Sequence, residues 1–340
     1  MTREILSMNI QELRGLMAEL NHPAYRAEQL FEWLHRRGAA SFMDMNNLPV
    51  ALREALAGEC HIPPCRVVKT QTSKDTTVKY LFSLGEDGVH IESVLMGYNH
   101  GFSLCISTQA GCRMGCKFCA SAIGGLVRNL TAGEMCAQVY NVPEGVSSIV
   151  LMGCGEPLDN FDAVVRFIAL ITHPKGANLG ARHITVSTCG LVPEIYALAR
   201  MKLQVNLAVS LHGPSDEIRR QFMPVANRYP LEELLEACRF YTDTTRRRIT
   251  YEYALASRIN DAPQQAQELA RRLRGQLCHV NLIPVNAKSR ERSHFAPTPR
   301  REAEAFAAVL TRHHIPTTIR RSLGNDIAAA CGQLRVQHGE

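Results

Sequence analysis

Phe102-Ser-Leu-Cys105-Ile-Ser-Thr-Gln-Ala-Gly-Cys112-Arg-Met-Gly-Cys116-Lys-Phe-Cys119 runs from a short apolar stretch of strand character into three cysteines spaced Cys-x3-Cys-x2-Cys. The texture of the chain changes here. Downstream, apolar runs at 103–107, 147–152, 183–187, 205–210, 248–253 and 279–284, with a further short one at 317–320, read as strands. Amphipathic stretches at 131–140, 161–171, 193–199, 231–241, 262–273 and 299–313 alternate with them and read as helices. Thr131-Ala-Gly-Glu134 is a capping box, and Thr298-Pro299 sets a cap before a proline at the first helical position. Strands alternating with helices imply a parallel sheet, doubly wound or curled into a partial barrel.

Upstream of the same stretch, residues 76–82 alternate with period two and Gly85-Glu-Asp-Gly88 marks a hairpin turn, so two or three antiparallel strands are expected between 66 and 96. Before them, 9–20, 23–37 and 49–57 carry helical patterns, punctuated by Gly38 and Asn46-Asn47. The expected organisation is a helical unit at 1–60, an antiparallel connection at 61–100 and an α/β region at 101–340.

Composition bounds the class. Apolar residues make up 46% of the 340 and charged residues 21%, the balance of a globular protein rather than a disordered one. No run approaches the roughly 18–20 apolar residues of a transmembrane helix. Arg3, Glu4, Glu12 and Glu19 fit neither a secretion signal nor an acid-poor transit peptide, so a cytoplasmic location away from membranes is expected. A net charge of +6 permits a polyanionic partner without requiring one. Twelve cysteines in a chain of this kind point to metal or catalysis rather than to disulfides.

The spacing of Cys112, Cys116 and Cys119 sharpens that reading. Cysteine ordinarily holds each iron of a 4Fe–4S centre, so three thiolates leave one iron open to another ligand. A structural zinc site wants four ligands in two pairs, and no second Cys-x2-Cys pair exists here. A non-catalytic iron–sulfur carrier and a zinc RNA-binding module are the rival readings, and chance clustering is the bland one.

The triple resembles the signature of radical S-adenosylmethionine (radical SAM) enzymes. A narrower resemblance covers most of the chain. The segment 102–112, Arg128-Asn-Leu-Thr-Ala-Gly-Glu134, Met152-Gly-Cys-Gly-Glu-Pro157, His183-Ile-Thr-Val-Ser187, Ser210-Leu-His212, His279-Val-Asn-Leu-Ile-Pro-Val-Asn286 and Asp326-Ile-Ala-Ala-Ala-Cys-Gly-Gln-Leu334 together resemble the RlmN/Cfr family. The family's enzymes methylate adenine carbons of 23S ribosomal RNA, and in one branch of transfer RNA also. The resemblance implies a partial (β/α)6-type TIM barrel with an accessory helical domain in front. It also implies a 4Fe–4S cluster on Cys112, Cys116 and Cys119, and two S-adenosylmethionine molecules per turnover.

By the same resemblance, Gly155, Glu156, Ser187, Ser210, Leu211, His212 and Asn286 bind S-adenosylmethionine. Read alone these are polar or small residues at the carboxyl ends of successive strands, where a barrel builds its site. Cys331 is implied to carry the methyl group as S-methylcysteine, Glu92 to accept a proton, and Cys105 to attack Cys331 in a transient disulfide that frees the RNA. Taken singly, either cysteine would be a small buried hydrophobe, and Glu92 an acid on a strand facing solvent. Cys60, Cys65, Cys136, Cys154, Cys189, Cys238 and Cys278 are left as structural, with Cys154 and Cys189 near the site.

Carbon 2 of adenine is electron-poor and resists polar methyl transfer, which is why a radical route is required. Met152 to Pro157 and Ile283-Pro-Val-Asn286 resemble the branch that methylates carbon 2, with carbon 8 the alternative. Implied partners are 23S rRNA and tRNA, an electron donor of flavodoxin type and a thiol reductant; a monomer is expected. Arg246-Arg-Arg248, 288–292, Arg300-Arg301 and Arg320-Arg321 are candidate phosphate contacts, though a charge run is usually a solvated face. The chain departs from the family at the short connection 141–145 and at Gly213, where alanine is common.

Overall fold

The computed structural model describes residues 2–85, 87–99, 101–285, 295–321, 323–329 and 333–334. The chain opens with β1 (Arg3–Glu4), α1 (Ile10–Glu19), α2 (Tyr25–His35), α3 (Val50–Glu59) and β2 (Cys60–His61). β1 and β2 pair in parallel, Arg3 opposite Cys60, which ties the helical unit shut. α1 begins at a capping box: Asn9 Oδ1 accepts the Glu12 N–H at 2.9 Å while Glu12 Oε2 accepts that of Asn9 at 2.8 Å.

Next come β3 (Cys65–Thr72), β4 (Val78–Leu84), β5 (Val89–Tyr98) and β6 (Gly101–Cys105), an antiparallel meander. A two-stranded ribbon of β7 (Gln109–Gly111) and β8 (Leu126–Asn129) follows. After it the alternation expected from sequence appears: α4 (Ala132–Tyr140), β9 (Val146–Leu151), α5 (Phe161–Ile171), β10 (Ile184–Thr188), α6 (Val192–Arg200) and β11 (Asn206–Ser210). It continues with α7 (Asp216–Phe222), α8 (Leu231–Thr245), β12 (Ile249–Leu255), α9 (Pro263–Leu273), β13 (Cys278–Pro284), α10 (Arg300–Arg312) and β14 (Thr317–Ile319).

Ten strands form one sheet in the order β14-β13-β12-β11-β10-β9-β6-β5-β4-β3. From β6 to β14 every pairing is parallel. Each crossover steps to the next strand in the same direction, and right-handed crossovers then put every helix on the same face. The sheet curls with its other face inward, a partial barrel rather than a doubly wound sheet, which would need a reversal of strand order. The antiparallel strands β3–β5 extend this same sheet.

The helices seal the outer face. α9 buries Ala266, Leu269, Ala270 and Leu273, a stripe at helical spacing, and α5 buries Val164, Phe167, Ile168 and Ile171. Each large apolar side chain so buried contributes roughly 1.5–3 kcal/mol. The amino-terminal unit docks against α4 and α5: Arg166 Nη1 meets Glu12 Oε2 at 2.6 Å, and Ser7 Oγ accepts the Gly133 N–H at 2.8 Å. Among the described residues no helix is long and apolar enough to cross a membrane.

A sheet wound one way leaves two distant edges, β14 and β3. The segment after β14 bridges them. Asp75 Oδ2 accepts the Gly324 N–H at 2.9 Å, while Asp326 accepts the Ser73 hydroxyl at 2.5 Å and the Lys74 N–H at 3.2 Å. Desolvation works to raise the Asp75 carboxyl, but hydrogen bonds from Gly324, Thr77 and Ser73 outweigh it and bring it down to about 2.

With a folded value below the unfolded one of about 3.9, the Asp75 contribution is complete above the unfolded value and lost as pH falls towards the folded one. Amide exchange at Gly324, corrected for the intrinsic pH trend, should be constant from about pH 5 to pH 8. Asp75→Asn should accelerate it throughout that range. Equal exchange in the two proteins, followed by mass spectrometry, would remove Asp75 as the clasp.

Candidate active site

A cavity of about 200 Å³ lies at the carboxyl ends of the inner strands. Its wall brings together Cys112, Cys116 and Cys119 with Gly155, Glu156, Ser187, Ser210 and His212, and with Cys105 on β6. Leu211 is buried beside the wall rather than on it, its N–H given to the Glu252 carbonyl at 2.9 Å. Asn286 and Cys331 lie outside the described residues.

The cysteine loop is pinched at its base by the β7–β8 ribbon and by the Cys112 N–H, which donates to the Gly125 carbonyl at 2.9 Å. α7 holds its middle. The Lys117 N–H donates to the Phe222 carbonyl at 2.9 Å, and the Phe118 ring stands edge-on to His212, centroids 4.9 Å apart. Burial pushes the Cys112 thiol up to about 12 and Cys116 well above its ordinary value, and neighbouring Cys119 adds to both. Coordination to a metal is what turns such thiols into thiolates.

Among the described residues no three His, Cys, Asp or Glu side chains converge closely enough to hold a single ion. Three thiols grouped on one loop around a cavity suit a cluster that spans several ångströms better than one zinc ion. Three thiolate donors and an open cavity beside them fit a 4Fe–4S cluster with one iron left for another ligand.

Glu156 follows β9 on a loop that only glycine permits. Gly155 has φ +108°, and a Cβ there would stand 2.7 Å from Gln109 Cβ and 2.8 Å from the Gln109 nitrogen. Gln109, itself buried, splints the two loops: its Oε1 accepts the Glu156 N–H at 2.8 Å and its Nε2 donates to Asp159 at 2.9 Å. The Glu156 carboxylate accepts N–H groups of Cys189 at 2.7 Å and Leu158 at 3.1 Å. Burial raises its pKa, and those bonds together with the Thr188 hydroxyl hold it down against that rise. A buried carboxylate on the cavity wall is suited to an ammonium group.

His212 is buried with φ +54°, and its Nδ1 accepts the Ala254 N–H at 2.9 Å, so its proton sits on Nε2. Burial, with Arg219 adding to it, lowers the ring to about 3, and the imidazole is neutral at physiological pH. The departure at Gly213 has a local reason: a Cβ there would stand 2.7 Å from Ile218 Cγ2 on α7.

Glu92 is buried on β5 and its carboxylate Oε1 lies 2.9 Å from Lys79 Nζ; it does not face solvent. Cys105 packs with Val94, Met96, Ala329 and Leu334 in a small apolar cluster. Leu334 is held there by Ser121, whose hydroxyl donates to its carbonyl at 2.8 Å. The described residues on either side of position 331 thus flank Cys105 and the cysteine loop.

Sequence reasoning missed Glu252, a wall residue on β12 whose Oε2 accepts the Asn281 Nδ2–H at 2.9 Å. The signal was present, since the alternation Tyr251-Glu252-Tyr253 turns the acid away from the tyrosines and so inward. Of the basic runs, Arg320-Arg321 reaches the cavity. Arg300 pairs with Glu304 at 2.7 Å, and 288–292 lie outside the described residues. Cys189 lines the cavity and Cys154 is buried nearby, its thiol pushed up to about 11 by burial.

The family model of the Radical SAM superfamily matches residues 106–270, and that of the ribosomal RNA large subunit methyltransferase N-terminal domain matches residues 3–62. The chain is 49% identical over 340 residues to the "Probable dual-specificity RNA methyltransferase RlmN" of Geobacillus kaustophilus (strain HTA426), covering 98% of this chain and 92% of that one. It is 48% identical to the protein of the same name from Clostridium novyi (strain NT), covering 98% of each. The crystal structure of a radical SAM methyltransferase from Sphaerobacter thermophilus superposes with a TM-score of 0.92 at 44% identity, over 98% of this chain and 99% of that one.

Changing any one of Cys112, Cys116 or Cys119 to Ala should abolish the visible absorption gained on anaerobic loading with iron and sulfide, with far-ultraviolet circular dichroism unchanged. A single-site variant that keeps the full absorption would exclude that cysteine as a ligand.

Proposed function

The chain belongs to the RlmN family of radical SAM RNA methyltransferases, and we propose on that basis that it methylates carbon 2 of adenine in 23S rRNA and in tRNA. The observation that carries the reading is one cavity flanked by three cluster-spaced thiols, Cys105 and the chain neighbours of Cys331. When bound, the cluster on Cys112, Cys116 and Cys119 and S-adenosylmethionine supply a methyl group and a carbon-centred radical.

The rest falls to this chain's own residues. Glu156 receives the methionyl ammonium, and Ser187, Ser210, His212 and Asn286 orient the remainder of the cofactor, with Gly155 and Leu211 contributing backbone. Cys331 takes up the methyl group through its thiolate, and the carbon of that methyl, once it has given a hydrogen atom to the radical, is joined to adenine. Glu92 accepts the proton lost from carbon 2, after the adduct has returned its unpaired electron to the one-electron couple that supplied the radical. Cys105 then attacks the Cys331 sulfur; a sulfur–sulfur bond forms as the bond from that sulfur to the RNA-linked carbon breaks, and that carbon keeps the electron pair and takes up a proton to become the methyl group of the product. A thiol reductant restores both cysteines, and a flavodoxin-type protein supplies the electron for each radical. A single chain suffices, acting in the cytoplasm on RNA whose target base is extruded into the cavity.

The test is a pair of variants with opposite outcomes. Cys331→Ala should neither take up methyl nor link to RNA. Cys105→Ala should accept the methyl, react once and leave a stable protein–RNA adduct on a denaturing gel. An adduct with Cys331→Ala and none with Cys105→Ala would reverse the two roles. Nucleoside mass spectrometry of treated RNA should show 2-methyladenosine, and 8-methyladenosine alone would overturn the choice of carbon.

A further inference from the structure

Lys79 on β4 is almost fully buried, a rare place for an ammonium group unless it is paired. Its Nζ lies 2.9 Å from Glu92 Oε1 on β5 and 3.5 Å from the Ala328 carbonyl oxygen. In the β4–β5 register Lys79 stands opposite Val94, and Val94 in turn stands opposite Cys105 on β6. The contact to Glu92, which faces Leu81, is therefore diagonal across the pair. Ala328 has φ +51°, a left-handed conformation that alanine rarely takes. One ammonium thus touches a buried carboxylate beside the Cys105 strand and a strained turn of the segment that leads to Cys331.

We propose that Lys79 is a positioning residue of the methyl-transfer site: it aims the Glu92 carboxylate and registers the Cys331 segment against it. The inference rests on the assignment of Glu92 as proton acceptor. An ammonium has three donors and no acceptor, so it can grip a carboxylate oxygen through a charge-assisted bond and a backbone carbonyl at once. When carbon 2 of the linked adenine loses its hydrogen as a proton, the electron pair of that bond stays with the ring and the proton passes to Glu92. Lys79 exchanges neither proton nor electron. It fixes where the receiving oxygen stands, and proton transfer by a side chain depends on hydrogen-bond reach.

The experiment follows the protein–RNA adduct in single turnover with full-length, cluster-loaded protein. Lys79→Met should carry methyl on Cys331 like the unmodified protein, by peptide mass spectrometry, and should form the adduct. Decay of that adduct should slow by about tenfold or more, with KM for RNA changed by less than about twofold. Lys79→Arg should restore most of the decay rate. Lys79→Met combined with Glu92→Gln should decay no more slowly than Glu92→Gln alone, because the first residue acts through the second. That double variant leaves no lone charge buried, so together with Lys79→Arg it carries the comparison if Lys79→Met does not fold.

Adduct decay at the unmodified rate in Lys79→Met would overturn the proposal, as would multiplicative slowing in the double variant or loss of methyl from Cys331. Glu92→Gln with unmodified decay would instead sink the assignment of Glu92 itself. Slow Glu92→Gln beside fast Lys79→Met would sink this inference alone.

Discussion

After β6 every further strand of the main sheet, β9 to β14, is added on the same side of the last, and this one-way winding is the constraint on which the rest of the molecule depends. It puts all the helices outside and turns the carboxyl ends of the parallel strands towards one cavity. It also leaves the sheet open, with β3 and β14 unpaired on their outer sides among the described residues. The carboxyl-terminal segment answers that defect. Held by Asp75, Ser73 and Lys79 at one place and by Ser121 at another, it crosses from the last strand to the first hairpin. The same crossing sets Ala329 and Leu334 beside Cys105.

The cavity wall is mainly apolar, and its few polar groups are ones that free side chains could not maintain. Glu156, His212 and Glu252 on the wall, and the Lys79–Glu92 pair away from it, are all buried, where an unpaired polar group costs several kcal/mol. Backbone N–H groups of Cys189, Leu158 and Ala254, and the amide of Asn281, satisfy the first three. Most of these donors come from strand ends and the turns that follow, so the site is as rigid as the sheet. Arg219 is the exception: it is wholly buried, its Nη1 donates to the Tyr229 carbonyl at 3.3 Å, and its Nε and Nη2 have no hydrogen-bond partner among the described residues. Its charge lies close enough to His212 to reinforce the neutrality of that ring.

Elements with strong local signals were legible from sequence and the rest were not. α5 spans the 161–171 of its hydrophobic stripe, and α4 begins just after the cap at Thr131, because both signals are written within a few residues. The β7–β8 ribbon left no trace in periodicity, being two short strands separated by the cysteine loop. α7 escaped notice although Ser215 caps it, since seven residues are too few to show a helical stripe. Strand boundaries shifted by a residue or two, as with 183–187 against Ile184–Thr188, where tertiary pairing rather than composition sets the end.

By itself the sequence determined the class of chemistry, because a ligand spacing such as Cys112, Cys116, Cys119 is a local property of a loop. The alternation of strands and helices is equally local, and with it came the parallel sheet. Whether that sheet doubles back or curls was not local, for the same alternation permits both, and only the strand order decided it. The environment of Glu92 was likewise undecidable from its strand, since alternation places an acid on one face without saying what covers that face. The tertiary structure covered it with Lys79 and the segment running to Cys331, residues brought together across the chain by strand pairing and by hydrogen bonds that no window of sequence contains.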